Sequence, residues 1–517
     1  TGIRYYDQPM SVNIMVRKRA KEACAYAKQL NPELSTWFQN KPTKARSYAG
    51  KVLLTVKSPV PESDASPSAV EICKVPDGRP ANLQGYPRGS NVNGQQVAGG
   101  IGFPFVKGRF PIDGEANILM AMVSFEDTDE FVENPRDFLG PQTEKVTEWS
   151  KFWSQGKFEY KFQIVDEWIR MPMKSSEATS NDDVLARQIL EKFPSGIDYD
   201  DLDGTFIYWA PGLKGVGHDF GIRVGSNERA FTVGQKRPGL FWAPSQWHSE
   251  TTNGGDLTFD LKRDYTWSHL IHEFLHEQGL NLHAPGNGWP TGLGQNQYPN
   301  PGQGHAFSAA IPAWEQFILG WLDDSQIHCV TDDDLSTTQT TVLTPLEISG
   351  GDRKALVIPL ENSDEVLIAE SRRPMGYTEN WDSSDKGIFV YRANPTLIKQ
   401  DDHSQGDCGN DPTFAKWSYY LFPDNESENP STWCGSFDKA LVNAGEKVTY
   451  GGVEIKLSQS LSSVDIVEVR RSSNTVVRNQ RNTGSEIAIG THLFLQNTVS
   501  RKNFSKNSHC QCCGCTP

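Results

Sequence analysis

No apolar run in the 517 residues approaches the ~20 needed to cross a bilayer, so no membrane-spanning helix is expected. Cysteine is sparse and odd in number, nine in all, too few for a disulfide scaffold in a chain of this length. Basic charge is in deficit, 50 Lys and Arg against 64 Asp and Glu. The net charge of −14 argues against nucleic acid as a partner and says more about solubility than about substrate. There is no internal repeat and no opening signal peptide. The chain begins TGIRYYDQ, without Met, as expected of a mature or trimmed product whose export signal is gone. Asn425 in NES and Asn503 in NFS fit glycosylation of an exported chain. Cys408 and Cys434 flank a polar loop and are the expected disulfide. An extracellular or cell-surface location follows.

What is present centres on DYTWSHLIHEFLHEQGLNLHAPG, residues 264–286. It contains H-E-x-x-H-x-x-G-x-x-H: His272, Glu273, His276, Gly279 and His283. Residues four apart stack on one helix face, so His272 and His276 can grip one ion. Glu273 projects about 100° round the helix, beside that ion rather than on it. Gly279 can adopt the left-handed conformation that ends a helix, turning the chain so that His283 adds a third nitrogen. Three imidazoles and one open position describe a catalytic zinc site. Trp267, Leu270, Ile271, Phe274 and Leu275 fall at i, i+3, i+4, i+7 and i+8, an apolar stripe opposite the histidines. Asp264, Thr266 and Ser268 are candidate caps. A bare H-E-x-x-H arises by chance in long chains; the extension through Gly279 to His283 adds two constrained positions. The full pattern resembles the metzincin signature of zinc endopeptidases.

Along the chain, residues 1–45 read as a helical segment stopped at Asn31-Pro32, and 57–100 as a Pro-, Ser- and Gly-rich arm. Residues 1–100 thus form a candidate pro-segment. Within the arm, Cys73-Lys74-Val75-Pro76-Asp77 is similar to the cysteine switch of matrix-metalloproteinase pro-segments, although the Arg before the cysteine is missing and Lys74 replaces Gly. The alternatives for Cys73 are pairing with Cys24 or simple burial. Residues 116–127, 158–164 and 203–212 read as strands, and 142–153 and 182–193 as helices. Their alternation before the zinc helix implies a mixed α/β lobe. Asp198, Asp200, Asp201 and Asp203, closed by Gly204, are candidate calcium ligands, with a solvated acidic turn as the alternative. Residues 212–256 read as a cleft wall or a structural insertion. IPAWEQFILGWLDD, 311–324, reads as a helix, followed by strands in TVLTPLEIS, KALVIPLE, EVLIAESRR and GIFVYRAN. Residues 445–471 read as alternating strands of a small β-sandwich or cap. The tail holds Cys510, Cys512, Cys513 and Cys515, suited to metal, cross-links or self-association.

The order of these patches resembles the immune-inhibitor-A-type secreted metallopeptidases. The patches are FWSQGKFEYKFQIVDEW, YDDLDGTFIYWAPG, the zinc motif, AWEQFILGWL, and E-x-R-x-x-x-G-Y with D-x-G-I-x-V-Y at Glu370–Tyr391. Together they span roughly 105–395. The resemblance implies a metzincin-like catalytic domain over 101–395 in an α+β architecture; the composition then turns to a polar loop and alternating strands, read as a β-rich domain over 396–471, and to a polar tail over 472–517. Two departures stand out. That group often uses Asp where this chain has His283. The only Met after His283 is Met375, in a Met375-Gly376-Tyr377 run similar to the Met-x-Tyr of astacins and serralysins but 92 residues on. By element order the apolar floor beneath the metal falls near Trp289–Gln295, so Leu293 is expected there and Met375 as core packing. Tyr298 and Tyr377 are candidates for stabilising the transition state.

The expected function is secreted, zinc-dependent endopeptidase action on a protein or peptide substrate, with Glu273 as general base. The alternatives are a structural or adhesive surface subunit on a peptidase fold, and a latent zymogen held by Cys73.

Overall fold

Strand β1 (Gly114–Ser124) is buried on both faces, which explains its near-continuous apolar run. Ile118, Met120 and Met122 enter one core, while Leu119, Ala121 and Val123 enter another. β1 is part of a computed structural model that describes residues 67–78, 102–179, 181–213, 222–224, 236–243, 266–280, 310–361, 363–378, 386–395, 418–421 and 441–472, with a few isolated positions between. These belong to one compact unit, Thr1–Asn474.

β1 pairs in parallel with β2 (Phe158–Ile164), β3 (Ile169–Arg170) and β4 (Gly204–Trp209). β4 continues to β6 (Leu240–Ala243), and β5 (Ile222–Val224) closes the edge antiparallel to β6. The sheet order is β2-β1-β4-β6-β5, with β3 against β1. Helix α2 (Pro135–Trp153) starts at Asn134, whose side chain accepts from the Arg136 amide. Helix α3 (Asp182–Lys192) is capped in the same way by Asn181. α2 and helix α4 (Thr266–Gln278) cover one face of the sheet, and α3 covers the other. The expected α/β alternation and the helix in the zinc motif are therefore present.

A second sheet joins β7 (Ile327–Cys329), β9 (Ala355–Pro359), β10 (Val366–Arg372), β11 (Gly387–Ala393) and β12 (Ser418–Leu421), with β13 (Leu441–Val442) against β11. A third consists of β8 (Gln339–Leu343), β14 (Lys447–Tyr450), β15 (Val453–Ser460) and β16 (Asp465–Arg471). The second sheet puts Val357, Ile368 and Phe389 into the core that also holds α4, and Leu356, Leu367 and Val390 into the core shared with the third sheet. The second and third sheets face each other across this core, and both take strands from either side of residue 396. Among the described residues, no sheet begins at that position. The helix expected over 311–324 is α5 (Ala313–Ile318), a single buried turn and a half ended by Leu319-Gly320.

The N-terminal arm is not wholly extended. Helix α1 (Pro67–Cys73) packs on β7 and β9, and Cys73 is disulfide-bonded to Cys329. The Asp77 amide donates to the Phe103 carbonyl, and the Phe103 amide donates to that of Val75. Residues 67–78 are thus part of the body. Among the described residues, no helix is long and apolar enough to cross a membrane.

Candidate metal centre

Helix α4 is more buried than its stripe implies. Trp267, Leu270, Ile271, Phe274 and Leu275 are buried as expected, and Phe274 meets Tyr160, Phe162 and Phe206 of the sheet. His269, His272, His276, Glu277 and Gln278 are buried too. The N-terminal turn receives help from outside its own sequence: the Trp267 amide donates to Oε1 of Gln142 on α2 at 3.0 Å. At the other end, the Gly108 and Phe110 amides donate to the Gln278 and Glu277 carbonyls. A crossing segment so satisfies carbonyls the helix leaves over.

Gly279 ends the helix at φ +112°, as expected. The Leu280 amide reaches the Leu275 carbonyl and the Gly279 amide that of His276, a Schellman closure. A Cβ on Gly279 would lie 2.9 Å from the Gly108 nitrogen and 3.0 Å from the Val106 oxygen, so space as well as φ demands glycine.

The same turn aims a carbonyl back at the site. His276 Nδ1 lies 2.8 Å from the Leu280 oxygen. A carbonyl only accepts, so Nδ1 carries the proton, and in the neutral ring Nε2 carries the lone pair. That Nε2 lies 3.2 Å from Nε2 of His272, the rings nearly perpendicular at 88°. Zinc–nitrogen bonds of ~2.0–2.1 Å at a tetrahedral angle would separate two nitrogens by about 3.3–3.4 Å. The observed spacing fits one ion between them. A Glu273 oxygen falls within 4.8 Å of both nitrogens. Glu273 is 13 % exposed, the most open of the three. Among the described residues this is the only group of three or more such side chains able to hold a metal.

Compared with known proteins, the chain matches no family model and no curated sequence. The centre therefore rests on its own geometry.

The other expected site residues fall as follows. His283, Leu293, Tyr298, Cys24, Cys408, Cys434, Asn425, Asn503 and the tail cysteines lie outside the described residues. Cys73 cannot serve as a thiolate switch, because its sulfur is bonded to Cys329. The bond to Cys329 also excludes the expected pairing with Cys24, and α1 packs on β7 and β9. Asp198, Asp200, Asp201 and Asp203 do not gather three carboxylates at one point. The Asp203 carboxylate accepts from the Asn117 amide, and that of Asp198 from the Asp200 amide. These bonds suit an acidic turn that braces β1. Met375 is 41 % exposed and does not pack in the core as expected. Tyr377 packs on Phe152, Trp153 and Trp267, beside the first turn of α4.

Sequence reading missed the charged network under α5. Glu370 Oε2 accepts from the Ala313 amide and the Tyr391 hydroxyl, placing an anion at the start of α5. Arg372 donates to Glu370 and to Glu347, all three buried. Patches quoted separately, AWEQFILGWL and Glu370–Tyr391, thus meet. Glu315 is buried beside them, and burial, then the charge of Glu370, pushes its carboxyl up to about 8 against the pull of Arg372. Between the ordinary carboxyl range and pH 8 the folded protein holds a proton that the unfolded chain has released. Stability conferred by that proton is complete at acid pH and declines as pH rises to 8, by up to roughly 1.4 kcal/mol per unit. Thermal unfolding from pH 5 to 9 is expected to show the stability of Glu315→Gln rising relative to wild type up to about pH 8 and levelling above. A constant difference across that range counts against a protonated Glu315.

Proposed function

We propose that this chain is a secreted zinc-dependent endopeptidase of metzincin-like architecture, related in plan to the immune-inhibitor-A-type enzymes. One observation carries the reading. The Leu280 carbonyl fixes the tautomer of His276 so that its Nε2 lone pair faces Nε2 of His272, 3.2 Å away, with Glu273 alongside. His272 and His276 would hold the ion, and His283 is the expected third ligand. Bound there, zinc supplies a Lewis acid that acidifies water and polarises a carbonyl near neutral pH. Glu273 takes the proton of the attacking water and passes it to the leaving amine. Its partial exposure gives solvent a path, and the surrounding burial strengthens electrostatic effects. The Cys73–Cys329 disulfide supports an oxidising, extracellular setting.

The test is metal content read together with cleavage. The purified chain is expected to carry about one zinc, and chelation should abolish cleavage of an unstructured protein substrate until zinc is restored. His276→Ala should retain less than about a tenth of the metal, since a ligand is lost outright. Full activity in a metal-free sample would end this reading.

A further inference from the structure

His269 is not part of the zinc motif, yet it sits one helical turn before Glu273 on the same face. Its side chain is fully buried, and its Nε2 lies 3.5 Å from Glu273 Oε1. That is longer than a good N–H···O bond, at the outer edge of hydrogen-bond reach. Its ring is parallel to that of His272, 4° apart in plane, with centroids at 6.4 Å. A buried imidazole in a helix is costly unless its nitrogens meet polar groups, and the carboxylate is one such group.

The direction of that contact matters. A Glu273 oxygen falls within 4.8 Å of a ring nitrogen of each of His272 and His276, so the carboxylate belongs to the same cluster as the two imidazoles. A carboxylate bound to the metal is no longer a base. His269 lies one helical turn N-terminal to Glu273, whereas His272 and His276 flank Glu273 in sequence.

We infer that His269 is a positioning residue for the general base: its imidazole draws the Glu273 carboxylate back along α4, off the metal, and leaves one oxygen for water. This rests on the peptidase reading above. It assigns His269 no contact with substrate or reacting atoms.

The experiment uses the full chain loaded with zinc for kinetics and with Co²⁺ for visible spectra. His269→Leu is expected to keep one metal per chain. Its kcat should fall about 10–100-fold, the range for loss of an outer partner at a metal centre, with KM changed less than about twofold. Its cobalt bands should shift as the carboxylate joins the ion. Adding Glu273→Gln to that variant should return the bands towards wild type, an effect a packing defect does not produce. His269→Gln, whose side-chain amide reaches close to the place of Nε2, should recover most of the kcat and guards against a leucine variant that fails to fold. Wild-type spectra and kcat in a folded His269→Leu, or equal loss in the Leu and Gln variants, overturns the inference and leaves the peptidase reading standing. A wild-type chain that takes up neither metal overturns both.

Discussion

Glu273→Gln is expected to lower peptide cleavage by about 10²–10⁴-fold, the usual contribution of a general acid–base residue, while zinc content and fold stay as in wild type. The amide is nearly isosteric with the carboxylate but cannot accept the proton of the attacking water. The two imidazoles that converge at 3.2 Å are untouched, and the His276 ring remains tied to the Leu280 carbonyl. Metal analysis and kinetics on the same preparation separate the roles. A variant that loses its metal together with activity identifies Glu273 as a ligand. One that keeps more than about a tenth of wild-type activity removes it as the base. A surface or adhesive subunit built on the same fold would show no cleavage for the substitution to abolish.

The second large effect concerns the disulfide between Cys73 and Cys329, which lie 256 residues apart in sequence. Loop-closure entropy for a loop of that length corresponds to about 5.5 kcal/mol, slightly above the range of about 2–5 kcal/mol seen when native disulfides are removed. Replacing both cysteines by serine is expected to lower the unfolding temperature by about 5 °C or more at a fixed scan rate. The loss should begin where α1 leaves β7 and β9, because Val70 and Cys73 belong to the main core. A protease cut made between the two cysteines should leave fragments that separate only after reduction. Titration of two reactive thiols at these positions in the native chain would remove the bond. Cys73→Ser also addresses the zymogen alternative: a thiolate switch requires activity to rise, whereas a structural disulfide predicts no gain.

The elements that could be read directly were those with a local cause. Alternation in FEYKFQI gave β2, the run ANILMAMVS gave β1, and the apolar spacing from Trp267 to Leu275 gave α4. Periodicity and glycine conformation act over a few residues, so His272, Glu273, His276 and the turn at Gly279 were legible too. The partners were not. Gln142 caps α4 from another helix, and the segment around Gly108 closes its far end. Glu370 anchors α5 across 57 residues, and Cys329 holds Cys73 across 256. Two sheets also run across residue 396, where a change in composition suggested a break.

By itself, then, the sequence determined that one helix carries two histidines and an acid at metal-binding spacing, ended by a glycine turn. Only the tertiary structure decided that the Leu280 carbonyl sets the tautomer of His276, that His269 stands beside Glu273, and that Cys73 is bonded to Cys329. The reason is range. Helical spacing and backbone conformation are set by neighbouring residues, whereas tautomer, side-chain partner and disulfide pairing depend on which distant groups the packed core brings within a few ångströms.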